Sequence, residues 1–127
     1  MELEKYFEQK KGVGVLSTAD ASGKVNAAVY ARPHFMNDGT AAFIMAERLT
    51  HENLGANPWA AYLFVEEGQG YQGKRLYLKK ARDEKNSQLV AEICRRCDYS
   101  NYDVSSKHIV FFSIEKVLPL IGEHEPA

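Results

Sequence analysis

Short runs of β-prone apolar residues, separated by turn sequences, dominate the hydrophobic pattern of this chain. Residues 20–24 have turn chemistry throughout, and Asn37-Asp38-Gly39 tolerates positive φ, so each segment predicts a hairpin connection. The predicted strands are residues 13–18, 25–35, 40–46, 60–65, 75–80 and 108–114. An even set of antiparallel strands can pair the backbone groups of its edge strands by closing into a barrel. The pattern therefore predicts a mainly β fold, a six-stranded antiparallel barrel.

Three segments are predicted to be helices instead. The first has apolar residues at three-and-four spacing before residues 12–14 and is predicted to cover one end of the barrel. The second is predicted to begin at an N-cap, Thr50, and to end at Asn57-Pro58 within about two turns. The third follows Asp83, and its apolar positions are Leu89, Val90, Ile93 and Cys97.

Length and charge limit the classes of function. A chain of 127 residues with 45% hydrophobic residues supports one core, so we expect a single domain over residues 1–127. Sixteen basic residues against 17 acidic ones give a net charge of −1, which offers no basic field for nucleic acid or for an acidic membrane. No apolar run approaches the roughly 18 to 20 residues that a membrane span needs, and we expect a soluble cytoplasmic protein.

The segment from residue 47 to residue 54 carries the clearest candidate chemistry. A strand delivers Arg48 and Thr50 to the first turn of a short helix, where free N–H groups and the positive end of the helix dipole favour an anion. Arg48 adds a bidentate donor, Thr50 a hydroxyl, and Asn53 could complete a phosphate site. The alternative is that Thr50 only caps the helix and that Arg48 is solvated.

This order of a strand, a phosphate-binding turn, a short helix and Asn57-Pro58 resembles the pyridoxamine 5'-phosphate oxidase-like split barrels. The resemblance covers residues 13–81 and is strongest over residues 48–58. It implies a split β-barrel with short flanking helices that binds FMN and works as a homodimer.

By the same resemblance, several residues would contact the cofactor. The phosphate would lie at Arg48, Leu49, Thr50 and Asn53, and the ribityl chain at Ile44 and Met45. The polar edge of the ring would lie at Tyr30, Ala31, Arg32 and Pro33. Arg75 (or Lys74) occupies the place where oxidases use a Gln. Many relatives have Lys where Thr50 stands. The carboxyl-terminal Arg and His with which true oxidases hold pyridoxamine phosphate have no match, so we do not predict that activity.

The function implied is transfer of electrons or hydride between a reduced donor and a small acceptor, with FMN performing the chemistry. Arg32 could favour the anionic reduced flavin, and the glycine-rich residues 67–73 are a candidate lid. Whether the protein is an enzyme stays open, because split-barrel relatives also include binding or sensing proteins for haem, a deazaflavin or another metabolite. The absence of Lys at position 50 favours that alternative.

Three other groups of residues are candidates for chemistry. The histidines have no recognised metal spacing, and no carboxylate or His partner is placed for His51, so no metal site is predicted. Cys94 and Cys97 form a CxxC whose flanking arginines would lower a thiol pKa, which gives a third hypothesis, a thiol-based redox or metal protein. Tyr71 is placed to stack on a ring or a partner, and Trp59 is predicted to lie in the core.

Overall fold

A computed structural model describes residues 2–96 and 107–122 of the chain. Over these residues it has seven strands and three helices. In chain order they are α1 (Glu2–Gln9), β1 (Gly12–Ala19), β2 (Val25–Val29), β3 (His34–Phe35), β4 (Ala41–Ala46), α2 (Leu49–Ala56), β5 (Trp59–Glu66), β6 (Gly73–Glu84), α3 (Ser87–Arg96) and β7 (Lys107–Pro119). The mainly β class predicted from the sequence is confirmed.

The strands form one sheet in the order β2-β1-β5-β6-β7-β4-β3, and every pair is antiparallel. If seven strands lay flat, the two edges would be about 29 Å apart at about 4.8 Å per strand. Yet β2 and β3 are joined by residues 30–33 alone. The five residue steps from Val29, the end of β2, to His34, the start of β3, span at most about 17 Å. The sheet therefore curls until its edges approach each other, as in a split barrel.

The prediction of six strands is wrong in one respect. The run over residues 25–35 is divided into β2 and β3, and between them Tyr30 to Pro33 have no regular structure. Pro33 has no N–H to donate to a ladder, which explains why the run is not one continuous strand. Both predicted hairpin turns are confirmed, since Asp20 accepts hydrogen bonds from the backbone N–H groups of Ser22 and Lys24, and Gly39 has φ of 87°.

The main core fills the inside of the curled sheet. Its fully buried members include Leu16, Tyr62, Phe64 and Phe112. The amphipathic helix α1 covers this core with Phe7, whose ring lies 5.1 Å from that of Phe64. The predicted role of this helix as a cover is thus confirmed.

A second, smaller core lies beneath α3. Val90 and Ile93 pack there with Ala42, Ile109 and Phe111 from β4 and β7. The face of the sheet opposite the main core is therefore also covered on this side. No helix within residues 2–96 and 107–122 is long and apolar enough to cross a membrane.

Irregular pairing bends the strand that carries Asp83. The register between β6 and β7 shifts between Tyr77 and Leu78 and again between Lys80 and Arg82. Such irregularities increase the local twist and redirect side chains. β6 continues to Glu84, beyond the predicted residues 75–80, and Asp83 lies there beside β7 and α2.

Candidate functional site

The site is a cavity of about 580 Å³ between the inner face of β2, the end of β4 and the first turn of α2. Its volume is in the range of about 300 to 1,000 Å³ that is usual for small-molecule sites. The lining residues are Asn26, Ala28, Val29, Tyr30, Ala31, Arg32, His34, Phe43, Ile44, Met45, Ala46, Arg48, Leu49, Thr50 and Lys107.

One end of the cavity is the start of α2. Arg48, not Thr50, is the N-cap, with extended backbone (φ −129°, ψ −168°) and no side-chain cap hydrogen bond. The first N–H groups of a helix have no partner within the helix, so here they remain available to an anion. Arg48 adds a guanidinium to the same end of the cavity.

The predicted capping role of Thr50 is therefore wrong, and the reason lies in its surroundings. Thr50 is buried within the first turn of the helix, and its Oγ1 lies 3.5 Å from Nδ2 of Asn26. It is also hydrogen-bonded to the phenol of Tyr30. Its hydroxyl thus joins α2 to β2 at the wall of the cavity.

Tyr30 is half-buried and adjoins both Thr50 and Arg48. Burial raises the pKa of the Tyr30 phenol above its ordinary value, while the hydrogen bond with Thr50 and the charge of Arg48 act in the opposite direction. The phenol is therefore protonated at neutral pH and can donate a hydrogen bond.

Three cationic side chains of the described residues line the cavity: Arg32, Arg48 and Lys107. Arg32 is engaged elsewhere as well, because its Nη1 donates to the carbonyl oxygens of Phe7 and Lys10, each at 2.8 Å. These carbonyls belong to the end of α1, where a cation is favoured by the helix dipole. Arg32 therefore connects the covering helix to the cavity.

Most of the residues that the family resemblance assigned to the cofactor line this one cavity. They are Tyr30, Ala31, Arg32, Ile44, Met45, Arg48, Leu49 and Thr50.

The remaining three predicted residues are not part of the lining. Pro33 is buried, and Asn53 is a buried amide whose Nδ2 donates to Oγ1 of Thr18 at 3.1 Å. Arg75 lies on β6, where its guanidinium donates to the carbonyl oxygens of Pro119 and Gly122.

Several lining residues were missed in the sequence. Asn26 and Ala28 alternate with Tyr30 along β2, so the period of two within a strand was the available signal. Lys107 pairs with Ala46 across β4 and β7, a long-range register that no local pattern shows.

Near the cavity, a second polar cluster forms from residues distant in sequence. Nε2 of His51 lies 2.5 Å from Oδ2 of Asp83, and Nδ1 of His108 lies 2.8 Å from Oδ1 of the same carboxylate. Nε2 of His108 lies 2.8 Å from Oε1 of Glu47. The expectation that His51 has no carboxylate or His partner is thus wrong, because its partners come from other strands.

In this cluster the carboxylates favour the charged form of His108, and His108 favours the charged form of Glu47. The hydrogen bond with Glu47, together with Asp83, raises the pKa of His108 above its usual value, although burial opposes this. The same contact with His108 lowers the pKa of the Glu47 carboxyl.

Among the described residues, the other candidates from the sequence do not line the cavity. No residue of the loop 67–73 is among its described lining residues, and Tyr71 is exposed. Trp59, predicted to lie in the core, is 50% exposed, and the ammonium group of Lys79 lies over its ring. The thiols of Cys94 and Cys97 and the side chain of His124 lie outside the described part of the structure.

Solved structures with similar folds bind different small molecules. An FMN-binding protein from Syntrophomonas wolfei subsp. wolfei has a TM-score of 0.75 and 22% identity, covering 93% of this chain and 83% of that one. HutZ, the haem storage protein from Vibrio cholerae, has a TM-score of 0.74 and 16% identity, covering 92% and 91%. A pyridoxamine 5'-phosphate oxidase-like protein from Lactobacillus delbrueckii has a TM-score of 0.69 and 12% identity, covering 93% and 92%.

No protein-family model and no curated protein matches the chain by sequence. At these identities the structural similarity describes the fold, and the three proteins differ in what their names say they bind or do. The chain has the fold of the pyridoxamine 5'-phosphate oxidase-like split barrels, which confirms at the level of the fold the resemblance predicted from its sequence.

Proposed function

We propose that this protein binds FMN in the cavity beside α2 and acts, as a homodimer, as a small FMN-dependent oxidoreductase. The observation that carries the proposal is the meeting of an apolar strand surface with an uncapped helix start and Arg48 in one cavity. A flavin mononucleotide has the same two parts, an apolar ring system and a phosphate.

The phosphate would bind at the start of α2. The N–H groups of the first turn and the positive end of the helix dipole both favour an anion there. Arg48 lines this end, and its guanidinium can make paired hydrogen bonds with phosphate oxygens. The buried hydroxyl of Thr50 would stand where many relatives have Lys, so Arg48 carries more of the phosphate charge.

The ring would lie along β2 and the segment that follows it. Phe43 and Met45 provide apolar surface, and the protonated Tyr30 phenol provides a hydrogen-bond donor. When bound, FMN supplies the capacity to accept and release electrons or hydride. The side chains of this chain bind and orient it, and the cations Arg32 and Lys107 favour negative charge in the cavity.

A homodimer is supported by the outer face of β1, β2 and β5. Val15 pairs with Val29 on one side and with Leu63 on the other, so their side chains share this face. Val25 and Val29 are 78% and 75% exposed there. A contiguous apolar surface on an edge strand is typical of an interface with another subunit.

The test compares FMN with riboflavin, which has the same ring and no phosphate. Arg48→Gln is expected to weaken FMN binding about 10- to 100-fold, since a hydrogen bond to a charged group contributes about 1.5 to 3 kcal/mol. Riboflavin affinity should change by no more than about twofold. Fluorescence titration of both ligands measures the two constants.

The matched control is Lys116→Gln, which removes one positive charge at an exposed position that does not line the cavity. It should leave both affinities unchanged. Equal losses of FMN and riboflavin affinity in Arg48→Gln, or wild-type protein that binds neither ligand, would contradict the proposal.

A second candidate function, haem binding, is favoured by one residue. His34 lines the cavity, and imidazole is a common axial ligand of haem iron. Haem titration of the wild-type protein and of His34→Ala tests this reading. A Soret shift that is lost in His34→Ala supports haem binding, and an unchanged haem spectrum rules it out.

A further inference from the structure

We propose that His51, Asp83 and His108 form a binding site for one divalent transition-metal ion such as Zn²⁺, with Glu47 orienting His108. These side chains come from α2, β6, β7 and the link between β4 and α2. The site is separate from the proposed flavin cavity, because none of these four residues is among its lining residues.

The donor atoms already converge. One ligand atom each from His51, Asp83 and His108 lies within 4.8 Å of the others. A four-coordinate zinc ion with bonds of about 2.0 to 2.1 Å needs its ligands about 3.3 Å apart. The distances from the Asp83 carboxylate, 2.5 Å to His51 and 2.8 Å to His108, would lengthen, and any donor pair as far apart as 4.8 Å would shorten, by small side-chain movements.

The donor types fit the same class of ion. Two imidazoles and one carboxylate suit zinc and neighbouring transition metals, whereas Mg²⁺ and Ca²⁺ prefer sites built only from oxygen. Three protein ligands leave at least one position for water. The side chains of His51, Asp83 and His108 are 21%, 28% and 13% exposed, so an ion can enter and keep a water ligand.

Glu47 supplies the feature that distinguishes this cluster from a simple ion pair. With Nδ1 of His108 facing Asp83, the opposite ring nitrogen, Nε2, donates to Oε1 of Glu47 at 2.8 Å. A metal-bound histidine usually donates its second N–H to a carboxylate, which fixes the tautomer and the ring orientation. Nδ1 of His108 faces the Asp83 carboxylate, and a bound ion would replace the proton that now lies between them, so that the lone pair of Nδ1 binds the metal.

The alternative is that Asp83 only bridges two imidazoles by hydrogen bonds. The rings of His51 and His108 lie 4.0 Å apart between centroids at 35°, and each contacts a different oxygen of the Asp83 carboxylate. In a metal site the ion would lie between the two ring nitrogens and this carboxylate. Measured metal binding separates the two interpretations.

The experiment titrates Zn²⁺ into the full-length chain, without an affinity tag, in competition with a chromophoric chelator. Because a CxxC pair can itself bind zinc, the titration uses the Cys94→Ser/Cys97→Ser variant beside the wild-type protein. We expect one Zn²⁺ per chain in both proteins. Co²⁺ in place of Zn²⁺ should give the visible absorption bands of a nitrogen- and oxygen-coordinated site.

Variants assign the ion to the cluster. Asp83→Asn and His108→Gln remove direct ligands and should lower Zn²⁺ affinity by more than about 100-fold, whereas Glu47→Gln should lower it by about 10- to 100-fold. The control is Glu52→Gln, which removes an exposed carboxylate next to His51 on α2 and should change nothing. Circular dichroism checks that each variant is folded.

Failure of the Cys-free protein to bind Zn²⁺ would overturn the proposal. Unchanged affinity in folded Asp83→Asn or His108→Gln would overturn it as well, and unchanged affinity in Glu47→Gln would refute the orienting role. None of these measurements needs a flavin, so their outcome is independent of the proposed function.

Discussion

At the scale of single residues, Gly14 leaves room for the hydroxyl group of the buried Tyr62 side chain. A Cβ atom there would lie 1.8 Å from Oη of Tyr62 and 2.7 Å from the backbone oxygen of Tyr30. The Tyr62 hydroxyl passes through this gap and donates to that same oxygen at 3.2 Å. The position of Tyr30 at the cavity wall therefore depends on the absence of a side chain at residue 14.

Gly14→Ala is expected to destabilise the protein by about 1 to 3 kcal/mol, because the added methyl group forces a buried aromatic side chain to move. The control is Gly55→Ala on α2, where an added Cβ meets nothing within 4 Å. That change should be neutral or stabilising by up to about 1 kcal/mol, since alanine is the better helix former. Urea denaturation measures both, and equal stability of the two variants would contradict this account.

At the scale of elements, α2 is the part whose position matters most, since its first turn forms one end of the cavity. Besides the contacts of Thr50 and His51, two hydrogen bonds from the second half of the helix hold it to the sheet. Nδ2 of Asn53 donates to Oγ1 of Thr18 in β1, and Nζ of Lys80 in β6 donates to the carbonyl oxygen of Leu54 at 2.8 Å. Asn53 thus serves the site indirectly, by fixing the helix that carries Arg48.

A double-mutant cycle tests this anchor. Asn53 and Thr18 are 4% and 3% exposed, so removing either side chain leaves a buried polar partner and should cost about 1 to 3 kcal/mol. The double variant Asn53→Ala/Thr18→Ala should lose about 1 kcal/mol less free energy of unfolding than the sum of the losses in the two single variants. Additive losses would show that the two side chains do not act together.

What the sequence predicts correctly is local. The two hairpin turns and the helix ended by Asn57-Pro58 follow from a few adjacent residues, and the structure contains all of them. The N-cap is Arg48 and not Thr50, because the Thr50 hydroxyl, which has the right chemistry for a cap, turns inward to Asn26 of β2 and to Tyr30 just after it.

The rest depends on contacts between distant parts of the chain. In the His51–Asp83–His108–Glu47 cluster, the hydrogen-bonded pairs are separated by 25 residues (Asp83 and His108), 32 residues (His51 and Asp83) and 61 residues (Glu47 and His108). No local sequence motif contains such pairs. The irregular register of β6, which carries Asp83 to the cluster, is equally invisible in the hydrophobic pattern. Site residues on one short segment can be inferred from sequence, whereas those assembled by the curl of the sheet cannot.

At the scale of the whole molecule, the apolar outer face of β1, β2 and β5 predicts self-association. Val25→Glu places a charge at a position that is 78% exposed and pairs with Ala19 at the edge of this face. If the face is the dimer interface, the variant should shift from dimer toward monomer in sedimentation velocity.

The control for this prediction is Tyr71→Glu, which adds the same charge at a residue that is 77% exposed in the loop between β5 and β6. It should remain dimeric. A wild-type protein that sediments as a monomer, or a Val25→Glu variant with unchanged mass, would refute the proposed interface.

Sedimentation velocity of the wild-type chain mixed with FMN, followed at both the protein and the flavin absorbance, shows whether the protein is a dimer that binds FMN. We expect one boundary with the mass of a dimer that carries about one flavin per chain. Flavin that stays with the free solute while the protein sediments colourless would contradict it.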